Sequence, residues 1–202
     1  MKFKTIKSDS ESCYTDRRSK FQGLLRPLES LSEFRKKLKF IRKENPKSTH
    51  VCSAYRIINS ENNIQESFFD DGEPAGSAGQ PILNELKRNN IVNVAAFVIR
   101  YYGGTKLGIP GLIHSYSESV RLAILNNKIL DWNFTNRYSL FHSYKETDFI
   151  DSLIAKYKAI LLGREFNLFV SSYIQINEDL DEAFQRDVKN NIANSTSIKK
   201  LR

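Results

Sequence analysis

Two glycine-rich segments carry the residue types that could bind a charged ligand. The first spans Asp70–Pro81 and reads DDGEPAGSAGQP, and the second spans Arg100–Gly111 and reads RYYGGTKLGIPG. Seven of the nine glycines lie between Gly72 and Gly111. Glycine is favoured where the backbone takes positive φ or must approach a partner closely, so we interpret both segments as binding loops. The candidate ligand-binding residues are Lys20, His50, Asp70, Asp71, Glu73, Gly76, Ser77, Gly79, Arg100, Tyr101, Gly103, Gly104, Lys106, Gly108, Gly111 and His114.

The second segment has the composition of an anion-binding loop. It follows a nearly continuous apolar run at residues 91–99 and precedes a helix predicted to begin near Gly111. The first N–H groups of a helix are unpaired and partly positive, and Arg100 and Lys106 would add charge. The segment matches neither the Walker loop nor the dinucleotide fingerprint, so we expect no cofactor. The alternative is a tightly packed loop braced against the first segment.

The acidic residues of the first segment allow two interpretations. Asp70, Asp71 and Glu73 could offer oxygen ligands to magnesium or calcium, but the spacing lacks the other ligands of an EF-hand. We favour a structural role, in which one aspartate caps the next helix or ties the turn. One carboxylate would then pair with Arg100 or Lys106 across the loops. We therefore expect no metal site.

The residues that could catalyse hydrolysis do not form a complete set. His50 and Cys52 would share one face of a strand, but a cysteine in an apolar strand is more often buried than activated. His114 would lie in the first turn of a helix, where the dipole disfavours its protonation. His142 has no partner in view, and no histidine or cysteine spacing indicates zinc. The open alternative is a small enzyme or binder that acts on a phosphorylated or acidic molecule at the same loops.

The net charge of +8 lies in the N-terminal quarter of the chain. Residues 1–50 hold fourteen lysines and arginines against six acidic residues, and the remainder is balanced. This distribution favours an acidic partner such as RNA, although a solvated helix face is the plainer interpretation. Tyr101 and Tyr102 could stack on bases. The cations expected to contact phosphate are Lys20, Arg35, Lys36, Lys37, Arg100 and Lys106.

The composition also bears on the setting of the protein. Two cysteines are too few to staple a fold of 202 residues. The sequence has no apolar run of membrane length and no apolar segment behind a basic start. We therefore expect a cytoplasmic protein without a membrane partner, and the sequence leaves its oligomeric state open.

The order of apolar patterns predicts an α+β protein with two domains, residues 1–134 and 137–202. The run at 91–99 predicts a central strand that is buried on both faces. After residue 137 the patterns follow in βαββαβ order, which predicts a ferredoxin-like domain. The predicted strands are 20–26, 51–58, 64–69, 91–99, 129–134, 138–144, 159–166, 168–176 and 197–201. Helices are predicted from a Ser30-x-x-Glu33 capping box, at 82–88, after Gly111, at 148–157 and at 180–188.

The glycine segments resemble the signature of the YigZ/Impact family, together with Ser19-Lys20-Phe21 and residues 49–56 upstream. The resemblance covers residues 14–125, and the chain departs from it at His114, where the family usually has arginine. It implies an N-terminal domain like the second domain of ribosomal protein S5 and a C-terminal domain like the last domain of elongation factor G. It also implies a link to translation control. We therefore expect a non-catalytic regulator that binds RNA or a ribosome-linked partner through the two glycine-rich loops.

Overall fold

Two units make up the chain, Met1–Trp132 and Asn133–Arg202. The structure is a computed structural model and describes residues 3–59, 62–191 and 197–201. The connection between the predicted strands 51–58 and 64–69 therefore lies partly outside the described residues. Each unit combines antiparallel strands with helices, which confirms the predicted α+β class.

An antiparallel sheet of five strands is the framework of the N-terminal unit, in the order β2-β3-β6-β4-β5. Strand β6 is central and its residues 94–100 are buried, as its apolar run predicts. A separate antiparallel pair joins β1 to β7, and the sequence patterns did not predict β1 or β2. The strands are β1 (Phe3–Ile6), β2 (Ser10–Asp16), β3 (Ser19–Pro27), β4 (His50–Ile58), β5 (Ile64–Phe69), β6 (Val94–Tyr101) and β7 (Ile129–Trp132).

Three helices cover the two faces of this sheet, α1 (Leu31–Glu44), α2 (Gly79–Arg88) and α3 (Gly108–Leu125). Helix α1 packs Phe34 and Ile41 on one face, whereas α2 and α3 pack on the other. Because apolar side chains of both layers meet the central strand, the sheet and its three helices form one rigid support for the loops at its end.

The predicted capping box of α1 is present, but the Glu33 carboxylate bonds to the residue before the N-cap. The Ser30 hydroxyl accepts a hydrogen bond from the Glu33 N–H at 3.2 Å. The Glu33 carboxylate accepts from the N–H of Glu29 at 2.9 Å, one residue before the cap. Two N–H groups are thus satisfied where the chain enters the helix.

Helices α2 and α3 both begin three residues earlier than predicted. Each opens on the same tripeptide pattern, Gly79-Gln80-Pro81 in α2 and Gly108-Ile109-Pro110 in α3. The predicted starts each lie directly after the proline. Within the first turn, however, the N–H group that proline lacks has no partner in the helix, so proline is tolerated there. His114 consequently lies in the second turn of α3, and the predicted first-turn position was wrong.

The C-terminal unit has the predicted ferredoxin-like order. Its four strands are antiparallel in the order β11-β8-β10-β9, and Tyr138, Ile150 and Phe184 lie in its buried core. His142 is buried, with Nε2 3.0 Å from the Ser172 hydroxyl, so this histidine belongs to the packing of the unit. The elements are β8 (Thr135–His142), α4 (Thr147–Lys156), β9 (Ile160–Phe166), β10 (Val170–Asn177), α5 (Asp181–Asn191) and β11 (Ser197–Leu201).

We predict that the two units are separable by proteolysis. Each has its own buried core, and residues 133–134 lie between β7 and β8. Brief chymotrypsin treatment should cut after Trp132 or Phe134 and leave two fragments that resist further digestion, as mass spectrometry would show. Early cuts inside the five-stranded sheet, with the junction intact, would contradict this boundary.

Candidate functional site

Both glycine-rich loops emerge from the same end of the five-stranded sheet. Strand β6 ends at Tyr101, and its penultimate residue Arg100 pairs in register with Phe21 of β3 and His50 of β4. The first loop runs from the end of β5 to the start of α2, and the second from the end of β6 to the start of α3. The two loops therefore lie at the same end of the sheet.

A buried ion pair joins the two loops. The Arg100 guanidinium donates to the Glu73 carboxylate at 2.5 Å, and the exposed fractions of the two side chains are 7% and 4%. The guanidinium also lies over the rings of Phe21 and Tyr102, at 5.4 and 5.5 Å from their centroids. This confirms the predicted pairing between a carboxylate and Arg100. Because Arg100 is buried, it is not a surface cation. Its position therefore does not support the prediction that Arg100 contacts phosphate.

Tyr116 and Cys52 complete the surroundings of Glu73. The Tyr116 hydroxyl donates to the Glu73 carboxylate at 2.8 Å, and Cys52 Sγ lies 3.3 Å from the Tyr116 oxygen. Cys52 Sγ also lies 3.0 Å from the Asp70 carbonyl oxygen, which can only accept a hydrogen bond, so the thiol keeps its proton. Burial raises the pKa of both Cys52 and Tyr116. Neither group is therefore ionised near neutral pH.

His50 and Asp71 tie the first loop to the sheet. His50 Nδ1 donates to the Asp71 carbonyl oxygen at 2.7 Å, which leaves Nε2 facing Glu73 at 3.9 Å. The Asp71 carboxylate accepts from the Val51 N–H at 2.7 Å and pairs with Arg42 of α1. Asp71 also has a φ of +47°, so its backbone takes the left-handed turn that these bonds require. Both residues are committed to the loop structure.

Asp70 caps helix α2. Its carboxylate accepts from the N–H groups of Gly76 at 2.9 Å, Ala78 at 3.2 Å and Gly79 at 2.7 Å. This confirms the structural interpretation, in which an aspartate caps the next helix. Ser77 is buried and its hydroxyl donates to the Pro74 carbonyl at 2.7 Å. Among the described residues, no three histidine, cysteine or acidic side chains are grouped closely enough to hold a metal ion.

The second loop is held by a close approach to the turn between β2 and β3. The Gly103 N–H donates to the Ser19 hydroxyl at 3.1 Å. A Cβ atom at Gly103 would lie only 2.0 Å from the Arg18 carbonyl carbon, so any other residue would force the loop away from the turn. The next residue, Gly104, has a φ of +87°. Lys106 then follows on the exposed surface, just before α3.

The β2–β3 turn brings two arginines that sequence reasoning missed. Arg17 and Arg18 have φ of +44° and +67°, the conformation of a hairpin turn that usually contains Asn-Gly. Both are exposed, and within the described residues no carboxylate pairs with them or with Lys106. We name these three cations, with Gly104 and the first turn of α3, the basic loop surface. The available signal was the pair of adjacent arginines in the basic N-terminal quarter of the chain.

The remaining predicted residues are spread around this end of the sheet. The Tyr101 hydroxyl donates to the Asn45 side chain at 2.7 Å, whereas Tyr102 is exposed. Lys20 is exposed and lies opposite Tyr101 in the β3–β6 register. His114 is exposed and meets the Tyr14 ring edge-on at 5.9 Å between centroids. Whether these residues contact a ligand stays a prediction.

The helix starts of α2 and α3 differ in how their N–H groups are used. Asp70 accepts from the start of α2, but no side chain in the described part of the chain caps α3, and its first turn has no acidic residue. The basic loop surface therefore combines partly positive N–H groups with three cations that no carboxylate of the described residues pairs with. Such a surface can bind an external anion. At the first loop, the Asp70 carboxylate already occupies the start of α2.

Comparison with known proteins gives a family match, similar relatives and similar solved structures. Residues 17–124 match the family described as the Impact N-terminal domain. A Haemophilus influenzae protein named IMPACT family member is 31% identical over 175 residues, 85% of this chain and 84% of the relative. A crystal structure of a hypothetical protein has a TM-score of 0.69 at 23% identity, over 100% of this chain and 98% of that one. The two-domain translational regulator Yih1 is 27% identical over 59% of this chain and 46% of its own, with a TM-score of 0.42.

The helices of the described residues are too short or too polar for a bilayer. Within residues 3–59, 62–191 and 197–201, none has the length and apolar character needed to cross one.

The Glu73–Arg100 pair should dominate the stability of this end of the sheet. We predict that Glu73→Gln and Arg100→Met each lower the free energy of unfolding by about 3–5 kcal/mol, because each leaves a buried partner unpaired. The double variant should be destabilised by less than the sum of the two, since it leaves no lone charge. Urea unfolding of the four proteins measures the coupling, and strictly additive effects would contradict a direct pair.

The two cysteines should differ in reactivity. Cys52 is buried and burial raises its pKa, so little thiolate is available for alkylation. Cys13 is exposed. We predict that iodoacetamide modifies Cys13 alone in the folded protein and both cysteines in urea, as peptide mass spectrometry would show. Rapid modification of Cys52 in the folded state would instead revive a role for it as a nucleophile.

Proposed function

Because this chain belongs to the Impact family, we propose that it is a non-catalytic regulator associated with translation that binds RNA at its glycine-rich loops. The link to translation comes from the resemblance of the glycine segments to that family. The choice of RNA as the ligand comes from the charge at these loops. A ribosome-linked partner would present the same phosphate groups.

One observation carries the proposal: the two Gly-x-Pro helix starts are used in opposite ways. In the first loop Asp70 supplies the anion that the start of α2 attracts. In the second loop no described side chain fills the equivalent place at Gly108. Helix N-termini bind phosphate groups readily. The first N–H groups of α3 are therefore open to an external anion, whereas those of α2 already bind the Asp70 carboxylate.

The surrounding charges favour a ligand with several phosphates. Arg17 and Arg18 are exposed in one turn and Lys106 in another segment, and the close approach of Gly103 brings the two segments together. A single small anion can be neutralised by one or two of them, whereas a polynucleotide backbone presents one charge per nucleotide to all three. The exposed ring of Tyr102, next to Gly103, offers a stacking surface for a base. These features together favour single-stranded RNA.

The same geometry argues for binding rather than catalysis. Two of the residues that could act as nucleophile or base are engaged in bonds that hold the loops together: Cys52 with Asp70, and His50 with Asp71. Glu73 is neutralised by Arg100. The proposed RNA surface therefore rests on cations and backbone N–H groups, which bind phosphate without breaking a bond.

The decisive variant removes charge without disturbing the fold. Arg17→Asn with Arg18→Gly installs the favoured Asn-Gly sequence at a turn that already has positive φ, and Lys106→Ala removes the third cation. We predict that this triple variant binds labelled oligouridylate roughly tenfold more weakly. Its salt dependence should be less steep by about 0.7 for each phosphate that is no longer neutralised, that is by about 2 in all.

A matched control removes three lysines at the opposite end of the same unit. Lys4→Ala, Lys7→Ala and Lys128→Ala lie on and next to the β1–β7 pair and change the net charge equally. Their affinity should stay close to that of the unmodified protein. Equal weakening by both variants would mean that only net charge matters and would overturn the proposed surface. Stabilisation by nucleoside phosphates in a thermal shift assay, without RNA affinity, would support the small-molecule alternative.

A further inference from the structure

A second basic surface lies on α1, which packs on the other face of the sheet from α2 and α3. Two of its six basic residues are engaged: Lys37 Nζ lies 3.1 Å from a Glu33 oxygen, and Arg42 pairs with Asp71. The rest are exposed, and no carboxylate of the described chain pairs with them. They are Arg35, Lys36, Lys39 and Lys43.

An exposed aromatic ring lies among these cations. Phe40 is 63% exposed, although Phe34 and Ile41 of the same helix are buried against the sheet. Lys36 precedes Phe40 by four residues and Lys43 follows it by three, so both are its neighbours on the helix surface. The apolar face of α1 is complete without Phe40. Packing therefore does not explain the ring, and we name Arg35, Lys36, Lys39, Phe40 and Lys43 together the basic helix surface.

We infer that the basic helix surface is a second binding surface for single-stranded RNA, with phosphates on the lysines and a base stacked on Phe40. This inference rests on the proposed function, because it extends the RNA partner of the loops to a new surface. Proteins bind single-stranded nucleic acid without sequence preference through two elements. Cations follow the phosphate backbone, and aromatic rings stack on the bases. An RNA strand can use both here within two helical turns.

The C-terminal end of α1 adjoins the loop end of the sheet. Arg42 reaches Asp71 in the first loop, and Asn45, just after the helix, accepts from the Tyr101 hydroxyl at 2.7 Å. The Thr49 hydroxyl accepts from the N–H of Tyr102 at 3.1 Å. One RNA strand can therefore pass from the basic loop surface towards α1 without leaving the protein.

The form of this surface favours RNA over a lipid bilayer. A helix that binds in a membrane interface inserts a broad apolar face, but the apolar face of α1 already covers the sheet through Phe34, Leu38 and Ile41. A single ring among lysines is suited to stacking on one base. The exposed side of α1 would present mainly charged side chains to a bilayer. Such a surface binds a membrane weakly unless apolar side chains also insert into it.

Neighbouring lysines of α1 provide the charge test. Lys36→Gln with Lys39→Gln removes two unpaired cations, and we expect the salt dependence of oligouridylate binding to become less steep by about 1.4. The control is the single variant Lys37→Gln, compared with the double variant per charge removed, because Lys37 already pairs with Glu33 on the same helix. It should leave affinity and salt dependence nearly unchanged.

Phe40 provides the stacking test. Phe40→Leu should weaken binding roughly tenfold while Phe40→Tyr retains it, because base stacking requires an aromatic face. Both variants should melt at nearly the temperature of the unmodified protein, because the side chain is exposed.

Each outcome separates this inference from the proposed function. If the Arg17, Arg18 and Lys106 variant weakens RNA binding but the α1 variants do not, the helix surface does not bind RNA and the proposed function stands. If the α1 variants alone weaken binding, the helix surface is supported and the loop proposal fails. If phosphatidylserine vesicles bind the protein and Phe40→Leu abolishes only that binding, the inference is overturned in favour of a lipid surface.

Discussion

The buried ion pair between Glu73 and Arg100 is the constraint on which the loop end of this protein depends. Removing two charges from water costs several kcal/mol for each ion, and the pair recovers this only where other bonds satisfy the remaining atoms. Tyr116 supplies such a bond to Glu73. The rings of Phe21 and Tyr102 flank Arg100, whose buried Nε has no hydrogen-bond partner among the described residues. The first loop, the end of β6 and helix α3 therefore hold one another in a single arrangement.

This arrangement explains why so many conspicuous residues of the loops do not face a ligand. The carboxylates of Asp70, Asp71 and Glu73 are all engaged in internal bonds. The acidic residues of the first loop thus serve to fix the loops. What remains exposed at the second loop is positive: Lys106, the adjacent arginines of the β2–β3 turn and the open start of α3. An internally neutralised support beneath a positive surface is the physical basis of the proposed RNA binding.

Local patterns predicted much of the fold, and tertiary interactions decided the rest. The central strand β6, the β4–β5 hairpin and the ferredoxin-like order followed from apolar periodicity, and the carboxylate–Arg100 pairing followed from charge. The β1–β7 pair was missed because it joins segments more than a hundred residues apart. The Arg17–Arg18 turn was missed because arginine seldom takes positive φ. The burial of Arg100 could not be predicted, since it depends on rings contributed by two different segments.

The most direct test of the open anion site is the response of the glycine N–H signals to RNA, followed by nitrogen-15 NMR during titration with oligouridylate. We expect the signals of Gly104 and Gly108, within the basic loop surface, to shift as RNA binds. Those of Gly76 and Gly79 should stay in place, because their N–H groups already donate to Asp70. Shifts confined to Gly76 and Gly79, or no shift at any of the four, would contradict the central claim that the start of α3 is the open anion site.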